Sequence, residues 1–470
     1  MSILDQLRDQ LLRFQALLRE TDSLSAMRQK AYQAITNQCQ GGSPCEYCTR
    51  TKKRCLPQAT STTEVHFISP GSSEEGMQVA GLPAHVNIPS AILYLDYFDL
   101  FMKRCLFTDE FSGLAADLLP LAQTCLPLGQ VVTAIGALEA SRRATVKSSR
   151  GQQPPYTVAF VSYGEAVKTL RARLQVSNAF RCGGVLWCTL LLGLFELKLM
   201  TETSGDLWAK HMLYGTARII QSVGATGQSC QLDKRLFGAF RSLEANRAIL
   251  YGEDTFLSQE PWSKSPGYLV ANPSSQAEAI FDLLIEISSF SKAAQNIDRF
   301  FDRIESIPDT LRPGHPAIHA LAEQGQRFQQ RLCSWHDQIT PYFDHRDPYC
   351  MLSLSNYNAL QLFLSRNYAY YACWVGQDIP SLAAHEIEAH VTAVVDLSNQ
   401  ILEYSNIPGV LLLFSLRMAG ANTSQSLQRD EIVRLLDRIA TKGFTVSGRI
   451  KRDLQELWEY QHAEMARDDI

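Results

Sequence analysis

The sequence lacks the short motifs that support common enzyme chemistries. It contains no Gly-x-x-x-x-Gly-Lys-Ser/Thr phosphate loop, no Gly-x-Gly-x-x-Gly dinucleotide turn and no Gly-x-Ser-x-Gly nucleophile elbow. The nearest approach to a zinc-protease helix is His385-Glu386 followed by His390. These histidines stand five residues apart instead of four, which turns the second away from the face of the first. The sequence therefore favours a protein that is not an enzyme.

Long apolar runs are also missing. The longest, residues 183–195 and 407–414, are too short to cross a bilayer and end in polar residues. Charges at Asp5, Arg8 and Asp9 interrupt any apolar core of a secretory signal. Twelve cysteines without such a signal indicate a reducing compartment, where thiols serve as small core residues and no disulfide framework is implied. We therefore expect a soluble intracellular protein with no membrane partner.

Strand patterns are scarce as well. The only alternation covers residues 63–68, inside a Ser-, Thr-, Gly- and Pro-rich tract over residues 57–90 that is typical of a flexible linker. Beyond it, apolar runs are not followed by glycine-rich turns and short strands, so the sequence predicts an all-α fold over residues 91–465. The helices are expected at residues 92–105, 114–143, 156–174, 184–199, 207–223, 232–250, 275–290, 318–338, 352–376, 387–405, 430–441 and 447–464.

The N-terminal segment, residues 1–38, carries an amphipathic pattern. Five apolar residues recur at steps of three and four, with charged residues between them: Leu4, Leu7, Leu11, Phe14 and Leu18. This stripe could form the seam of a homodimer. It spans about two heptads, and a coiled coil needs three to four, so packing onto the chain's own body is favoured.

The most specific pattern in the chain lies in residues 39–56. Four cysteines follow the spacing Cys-x5-Cys-x2-Cys-x6-Cys: Cys39, Cys45, Cys48 and Cys55. Zinc is bound by deprotonated thiolates in tetrahedral geometry, and a Cys-x2-Cys pair presents two sulfurs to one ion. Glycine and proline make tight turns in the short loops between the ligands. The sequence therefore predicts a site for one zinc ion, and the alternative is a group of reduced thiols without metal.

This spacing, with a proline before Cys45 and basic residues before Cys55, resembles the second half of the fungal Zn2Cys6 (binuclear zinc cluster) domain. The full pattern of that family has six thiolates sharing two zinc ions. Its first two cysteine positions correspond here to Gln29 and Tyr32, so the resemblance implies one zinc ion instead of two, or none. Either the first exon of the gene was assigned incorrectly, or the protein is a degenerate family member. The intact pattern beyond Cys39 favours the first explanation.

The missing half is the part that reads DNA bases in the resembled family, through a short basic helix in the major groove. The equivalent stretch here, residues 32–38, contains no cation. The resemblance implies phosphate contacts, which position a protein without specifying sequence, for four residues of the second half: Arg50, Lys52, Lys53 and Arg54. The alternative for this run is a solvated loop.

Charge is distributed unevenly along the chain. Residues 1–57 carry nine Lys/Arg against five Asp/Glu, a net charge of +4, so the remaining residues carry −8 to reach the total of −4. This asymmetry fits a small cationic arm attached to an acidic body, which is an arrangement suited to DNA as a partner.

The body also carries a family resemblance. The central part of the fungal-specific transcription factor regulatory domain is similar to several stretches of this chain: residues 185–197, Trp208, His211, and residues 215–220, 240–244 and 247–262. The resemblance implies a helical regulatory module in a nuclear protein, with a small molecule as an expected effector. Two functions stay open. One is a transcription regulator with a truncated zinc-cluster DNA-binding domain, acting on genes such as a specialised-metabolite cluster. The other is a helical ligand-binding or protein-interaction co-regulator that no longer binds DNA.

Several polar residues of the helical body are expected to serve the fold and not to bind a ligand. His211 is expected to be a buried, hydrogen-bonded histidine, and the pairs His336–Asp337 and His345–Asp347 are expected at a solvated surface. Glu196 ends an apolar helix and needs a partner such as Arg218 or Arg247 if it is buried.

Overall fold

The structure is a computed structural model of the chain. It divides into two units, residues 1–87 and residues 88–470. The residues described are 90–108, 111, 113–143, 154–174, 183–199, 214–224, 231–260, 262, 273–295, 315–368, 374 and 376–468. All of them belong to the second unit, so the linker, the cysteine segment and the N-terminal stripe lie outside the description.

The described residues form fourteen α-helices and three short 3₁₀ turns, with no strand among them. The predicted all-α fold is thus confirmed. In chain order the helices are α1 (Ser90–Lys103), α2 (Leu114–Thr124), α3 (Leu126–Ser141), α4 (Pro155–Leu174), α5 (Gly183–Leu199), α6 (Tyr214–Val223), α7 (Gln231–Tyr251), α8 (Pro273–Gln295), α9 (Pro316–Ile339), α10 (Pro348–Tyr368), α11 (Ala384–Tyr404), α12 (Leu413–Asn422), α13 (Ser426–Thr441) and α14 (Ser447–Asp468).

Helix α3 is the centre of the first group of helices. It packs against α1, α4 and α5, and most of its side chains are buried because it is apolar nearly all round. At Gly136 the backbone of α1 comes so close that an added Cβ would lie 2.0 Å from the carbonyl oxygen of Tyr94. The closest helix crossing in this group therefore depends on a residue without a side chain.

Helix α10 is the centre of the second group, where it packs against α8, α11 and α12. It buries several polar side chains together with its apolar ones. The Ser415 hydroxyl of α12 donates to the amide oxygen of Asn356 at 3.1 Å, and the His390 ring of α11 lies 2.8 Å from the amide oxygen of Asn358. These hydrogen bonds fix how the neighbouring helices sit on α10, because polar groups in a core need specific partners.

Helix α7 connects the two groups. It contacts α5 on one side and both α8 and α12 on the other. The guanidinium of Arg417 in α12 donates to the carbonyl oxygen of Leu250 in the last turn of α7 at 2.9 Å. A carbonyl in the last turn of a helix receives no N–H from that helix, so a side chain from the second group caps α7.

Several helices differ from the sequence prediction, and two differences change the number of helices. Residues 114–143 were expected to form one helix, but the chain breaks at Cys125, which is extended (φ −116°, ψ 96°), and restarts with Pro127 in the first turn of α3. Pro127 has no N–H to donate to the carbonyl oxygen four residues before it, and its ring crowds that carbonyl, so one helix cannot continue through this position. The predicted helix over 352–376 ends at Tyr368, and α12 was not predicted.

We predict that Gly136→Ala destabilises the protein by about 3 kcal/mol, because the new methyl group would overlap the α1 backbone. The matched control is Gly164→Ala in α4, where an added Cβ meets nothing within 4 Å. This control should stabilise the protein by about 0.5–1 kcal/mol through higher helix propensity. Chemical denaturation followed by circular dichroism measures both, and equal effects of the two changes would contradict the proposed crossing.

Candidate functional site

The predicted zinc ligands and phosphate contacts lie outside the described residues. These are Cys39, Cys45, Cys48 and Cys55, followed by Arg50, Lys52, Lys53 and Arg54. Trp208 and His211 also lie outside. Within the part of the chain that the structure describes, no group of three or more His, Cys, Asp or Glu side chains is arranged to bind a metal ion.

Two of the histidines considered in the sequence analysis pack against other residues of the helical body. His390 is half-buried against Asn358, whereas His385 is exposed on the same helix. His336 stacks on the Tyr357 ring with centroids 4.6 Å apart. His390 and His336 therefore pack against α10.

The acidic residues beside these histidines cap helices. The Glu386 carboxylate accepts the backbone N–H of Ala383 at 2.7 Å, and the Asp347 carboxylate accepts the N–H of Tyr349 at 2.9 Å. Negative side chains at helix N-termini satisfy free N–H groups and complement the helix dipole. These carboxylates are thus part of the fold.

Glu196 was predicted to need a cationic partner. It is half-buried and accepts a hydrogen bond from the Tyr163 hydroxyl of α4. Arg247, one of the two partners considered, pairs with Glu244 at 2.9 Å and with Glu253. The Tyr163 hydroxyl is thus one partner of the Glu196 carboxylate, for which the sequence analysis had considered only arginines.

A group of positively charged side chains lies where helices α1, α3, α5, α11 and α13 end. Six cationic side chains from these C-terminal ends form what we call the cation cluster: Arg104, Arg142, Arg143, Lys198, Arg438 and Lys442. Helix C-termini carry partial negative charge and free carbonyl oxygens, so their convergence requires positive side chains.

The centre of the cation cluster is a buried ion pair. Lys198 Nζ lies 2.8 Å from Glu139 Oε2, and the two side chains are only 3% and 8% exposed. The ammonium also lies 4.1 Å from the centroid of the Phe101 ring, a distance that allows a cation–π interaction. Burial raises the pKa of the neighbouring Cys105 thiol to about 12, so this thiol stays neutral beside the pair.

The protonation of this pair follows from its neighbours. Burial by itself would raise the pKa of Glu139, but Lys198, Arg104 and Arg142 outweigh burial and hold that pKa below its ordinary value. Burial lowers the pKa of Lys198, and Cys105 and Glu139 oppose that shift. Glu139 is therefore ionised at neutral pH.

Two cations of the cluster cap helices from a distance. Arg142 donates to the carbonyl oxygen of Lys198 in α5 and, at 3.2 Å, to that of Gly443. Lys442 donates to the carbonyl oxygen of Leu402 in α11. Gly443 has φ +108°, and an added Cβ would lie 2.3 Å from Arg142 Nη1. Glycine thus allows both the backbone turn after α13 and the approach of Arg142.

The outer cations have little negative charge to balance them. Arg104 and Arg143 both approach Glu139 Oε1, at 3.4 and 3.7 Å, and their side chains are 58% and 32% exposed. Partial burial lowers the pKa of Lys442, and Arg438 and then Arg104 lower it further. Arg438 itself donates to the neutral amide of Asn399. The surface of the cluster is therefore electropositive, which suits an anion.

A second candidate region is a cleft between α7, α12 and α14. Its lining includes Asn246, Arg247, Val410, Leu413 and Ile450. The free volume is about 10 Å³, which is the scale of one water molecule. Ligand pockets are typically about 300–1,000 Å³, so this cleft does not hold the expected effector.

Sequence reasoning missed the cation cluster because its members lie far apart in the chain. Arg142 and Gly443 are 301 residues apart, and Glu139 and Lys198 are 59 apart. One signal was present: Glu139 is the only charged residue of α3, and Lys198 and Glu196 are the only charged residues of α5, in helices that are otherwise almost entirely apolar. A buried charge requires a partner, so opposite charges in two such helices suggest that the helices pack together.

We predict that Glu139→Gln destabilises the protein by about 3–5 kcal/mol, because Lys198 loses its buried partner and must either stay charged without one or give up its proton. Glu165→Gln on α4 is the control: this side chain is 49% exposed and pairs only with Lys168 on its own helix, so the effect should stay within about 0.5 kcal/mol. Urea denaturation at neutral pH measures both changes.

The pH dependence provides a further check on the same variant. The folded pKa of Glu139 is depressed, so its stabilising contribution is complete above the unfolded pKa of about 4.3 and is lost as pH falls through the folded value. The stability difference between wild type and Glu139→Gln should therefore shrink below about pH 4. A difference that is constant with pH would show that Glu139 acts through packing and not through charge.

Comparison with known families identifies the body of the chain. No helix in the described ranges combines the length and apolar character needed to cross a membrane. Comparisons with curated proteins and with solved structures find no match. Residues 93–468, well over half of the 470 residues, match the family described as the fungal specific transcription factor domain. The match does not include residues 39–56. The chain therefore belongs to the fungal specific transcription factor domain family.

Proposed function

We propose that the protein is a nuclear, DNA-binding transcription regulator of the fungal zinc-cluster type. The observation that carries this proposal is the order of two features: a cysteine segment with zinc-cluster spacing, followed by a regulatory domain of the fungal transcription factor family. Either feature alone is compatible with other proteins. Their combination in one chain is typical of a regulator that binds DNA with its N-terminal part. Family resemblance alone suggests a specialised-metabolite gene cluster as the target.

The cysteine segment supplies a donor set that fits one zinc ion. Four thiolates satisfy the tetrahedral preference of zinc, and the Cys45–Cys48 pair has the spacing of a structural zinc site. A bound zinc ion would supply folding free energy to a segment that is too short for a hydrophobic core of its own. The basic residues before Cys55 would then lie on a defined surface.

These basic residues give the segment its proposed role on DNA. Arg50, Lys52, Lys53 and Arg54 carry four positive charges within five positions. Such charges neutralise phosphates and fix the orientation of a protein on the duplex. Sequence is read at base edges, and residues 32–38 contain no cation for that purpose. The proposal therefore assigns positioning to this segment and leaves much of the base reading to another element.

The alternative function is a co-regulator that does not bind DNA. It is favoured by Gln29 and Tyr32, which stand where the zinc-cluster family has its first two cysteines. In this case the helical domain would act through a protein partner or a ligand. The two functions differ in whether the purified chain selects DNA.

We predict that the purified full-length chain contains about one zinc ion per molecule, because four thiolates complete one tetrahedral site. Cys48→Ser should abolish zinc binding, whereas Cys333→Ser, which changes an exposed free thiol in α9, should leave the zinc content unchanged. Elemental analysis by mass spectrometry measures this. A folded wild-type protein without zinc would mean that the four thiols are incidental.

We predict that selection from random duplexes enriches CGG-type half-sites, as the zinc-cluster resemblance implies. Lys52→Gln should weaken binding by a similar factor for every sequence and reduce the salt slope by about one, because it removes one phosphate contact. A gel shift over a salt series measures both quantities, with Lys168→Gln on the exposed face of α4 as the control. Failure of folded, zinc-loaded protein to enrich any sequence would support the co-regulator instead.

A further inference from the structure

We propose that the cation cluster binds a small phosphate-bearing anion and that Arg104, Arg143 and Lys442 form its contact surface. This assigns a chemical class to the effector of the regulatory domain. It rests on the proposed function only for its regulatory consequence, since the binding itself requires neither zinc nor DNA.

The first argument is the charge balance of the cluster. The cluster contains six cations and the carboxylate of Glu139, which lies 2.8–3.7 Å from three of them: Arg104, Arg143 and Lys198. The C-terminal ends of the helices contribute about −0.5 charge each, and Arg142 and Lys442 already donate to carbonyl oxygens there. Counting these ends and the carboxylate still leaves an excess of about two to three positive charges.

The second argument is that nearby carboxylates have other partners. Asp99 on α1 binds Lys103 at 2.6 Å, and Asp437 on α13 binds Lys451 at 2.8 Å. The acidic side chains nearest in sequence therefore do not neutralise Arg104 or Lys442, and an external anion would complete the balance.

The third argument concerns which cations can reach a ligand. Lys198 is buried in its pair with Glu139, and Arg142, although exposed, donates to two backbone carbonyl oxygens. Arg104 and Lys442 are exposed and Arg143 is half-buried, and of these three only Lys442 is given a carbonyl acceptor among the described residues. Both guanidinium groups approach the same oxygen, Glu139 Oε1, so one phosphate could accept from both. Arginine matches phosphate geometry with paired donors, and lysine adds a point charge.

The net negative charge of the rest of the helical body favours a small ligand over a long nucleic acid. Residues 58–470 carry a net charge of −8, so the positive surface is local and lies on an acidic body. A long duplex would bring many phosphates against that body and be repelled. A small anion with one or two phosphate groups meets only the cluster.

The test is isothermal titration calorimetry of the full-length chain with inorganic pyrophosphate at low ionic strength. Arg104→Gln, Arg143→Gln and Lys442→Gln should each weaken binding about tenfold, the loss of one charge-assisted hydrogen bond. Arg327→Gln and Arg434→Gln are controls, because these exposed arginines pair with glutamates on their own helices and should leave the affinity unchanged.

Two further arms make the outcome decisive. Titration with ADP shows whether a nucleoside diphosphate binds more tightly than pyrophosphate, which would identify a nucleotide as the source of the phosphate. Random duplex DNA that displaces pyrophosphate would instead identify a nucleic-acid surface and overturn the proposal. Arg143→Lys keeps the charge and guards against misfolding: its affinity should lie between those of wild type and Arg143→Gln.

The proposal also fails if pyrophosphate does not bind, or if the three glutamine variants bind it as wild type does. A loss of affinity in Lys52→Gln alone would place the anion on the N-terminal arm. None of these results bears on whether the chain selects DNA, so failure of this proposal and failure of the proposed function can be told apart.

Discussion

The described fold depends on how an all-α domain satisfies the carbonyl oxygens at the ends of its helices. Every helix leaves several C=O groups without a partner in its own last turn. Four cationic side chains donate to such carbonyls on other helices: Arg142 to Lys198, Lys442 to Leu402, Arg417 to Leu250 and Arg366 to Ala421. Each bond satisfies a polar group, complements the helix dipole and joins two helices. These long-range caps give directional contacts to a body otherwise held together by non-directional apolar packing.

The buried pair of Glu139 and Lys198 lies where several helix ends, and the cations that cap them, come together. A buried ion pair is usually no more stabilising than well-packed apolar residues, so its presence needs a local reason. Here the Lys198 carbonyl is capped by Arg142, which also donates to Gly443 between α13 and α14. Glu139 compensates a concentration of cations that the converging helix ends require. The pair thereby fixes α3 against α5, and the caps around it connect the first group of helices to the second.

The sequence predicted the helices better than their ends and predicted none of the long-range caps. Apolar periodicity is local, so it indicates where helices form. The break at Cys125 could have been read from Pro127, but the strong apolar pattern of residues 114–143 concealed it. Helix α12 was missed because it starts inside the short apolar run 407–414. The cation cluster depends on pairs up to 301 residues apart, and residue spacing carries no information about which helix ends meet in space.

The position of the cation cluster gives it a means of regulation. Arg104 and Arg143 follow the ends of α1 and α3, in the first group, whereas Lys442 follows the end of α13, which packs on α11 and α12 of the second group. A ligand shifts a conformational equilibrium only by the difference in its affinity for the two states. An anion that contacted all three residues would link the two groups of helices in the arrangement that the structure shows. Its binding would therefore stabilise this arrangement over any in which one of the contacts is lost, and the coupling would be reciprocal.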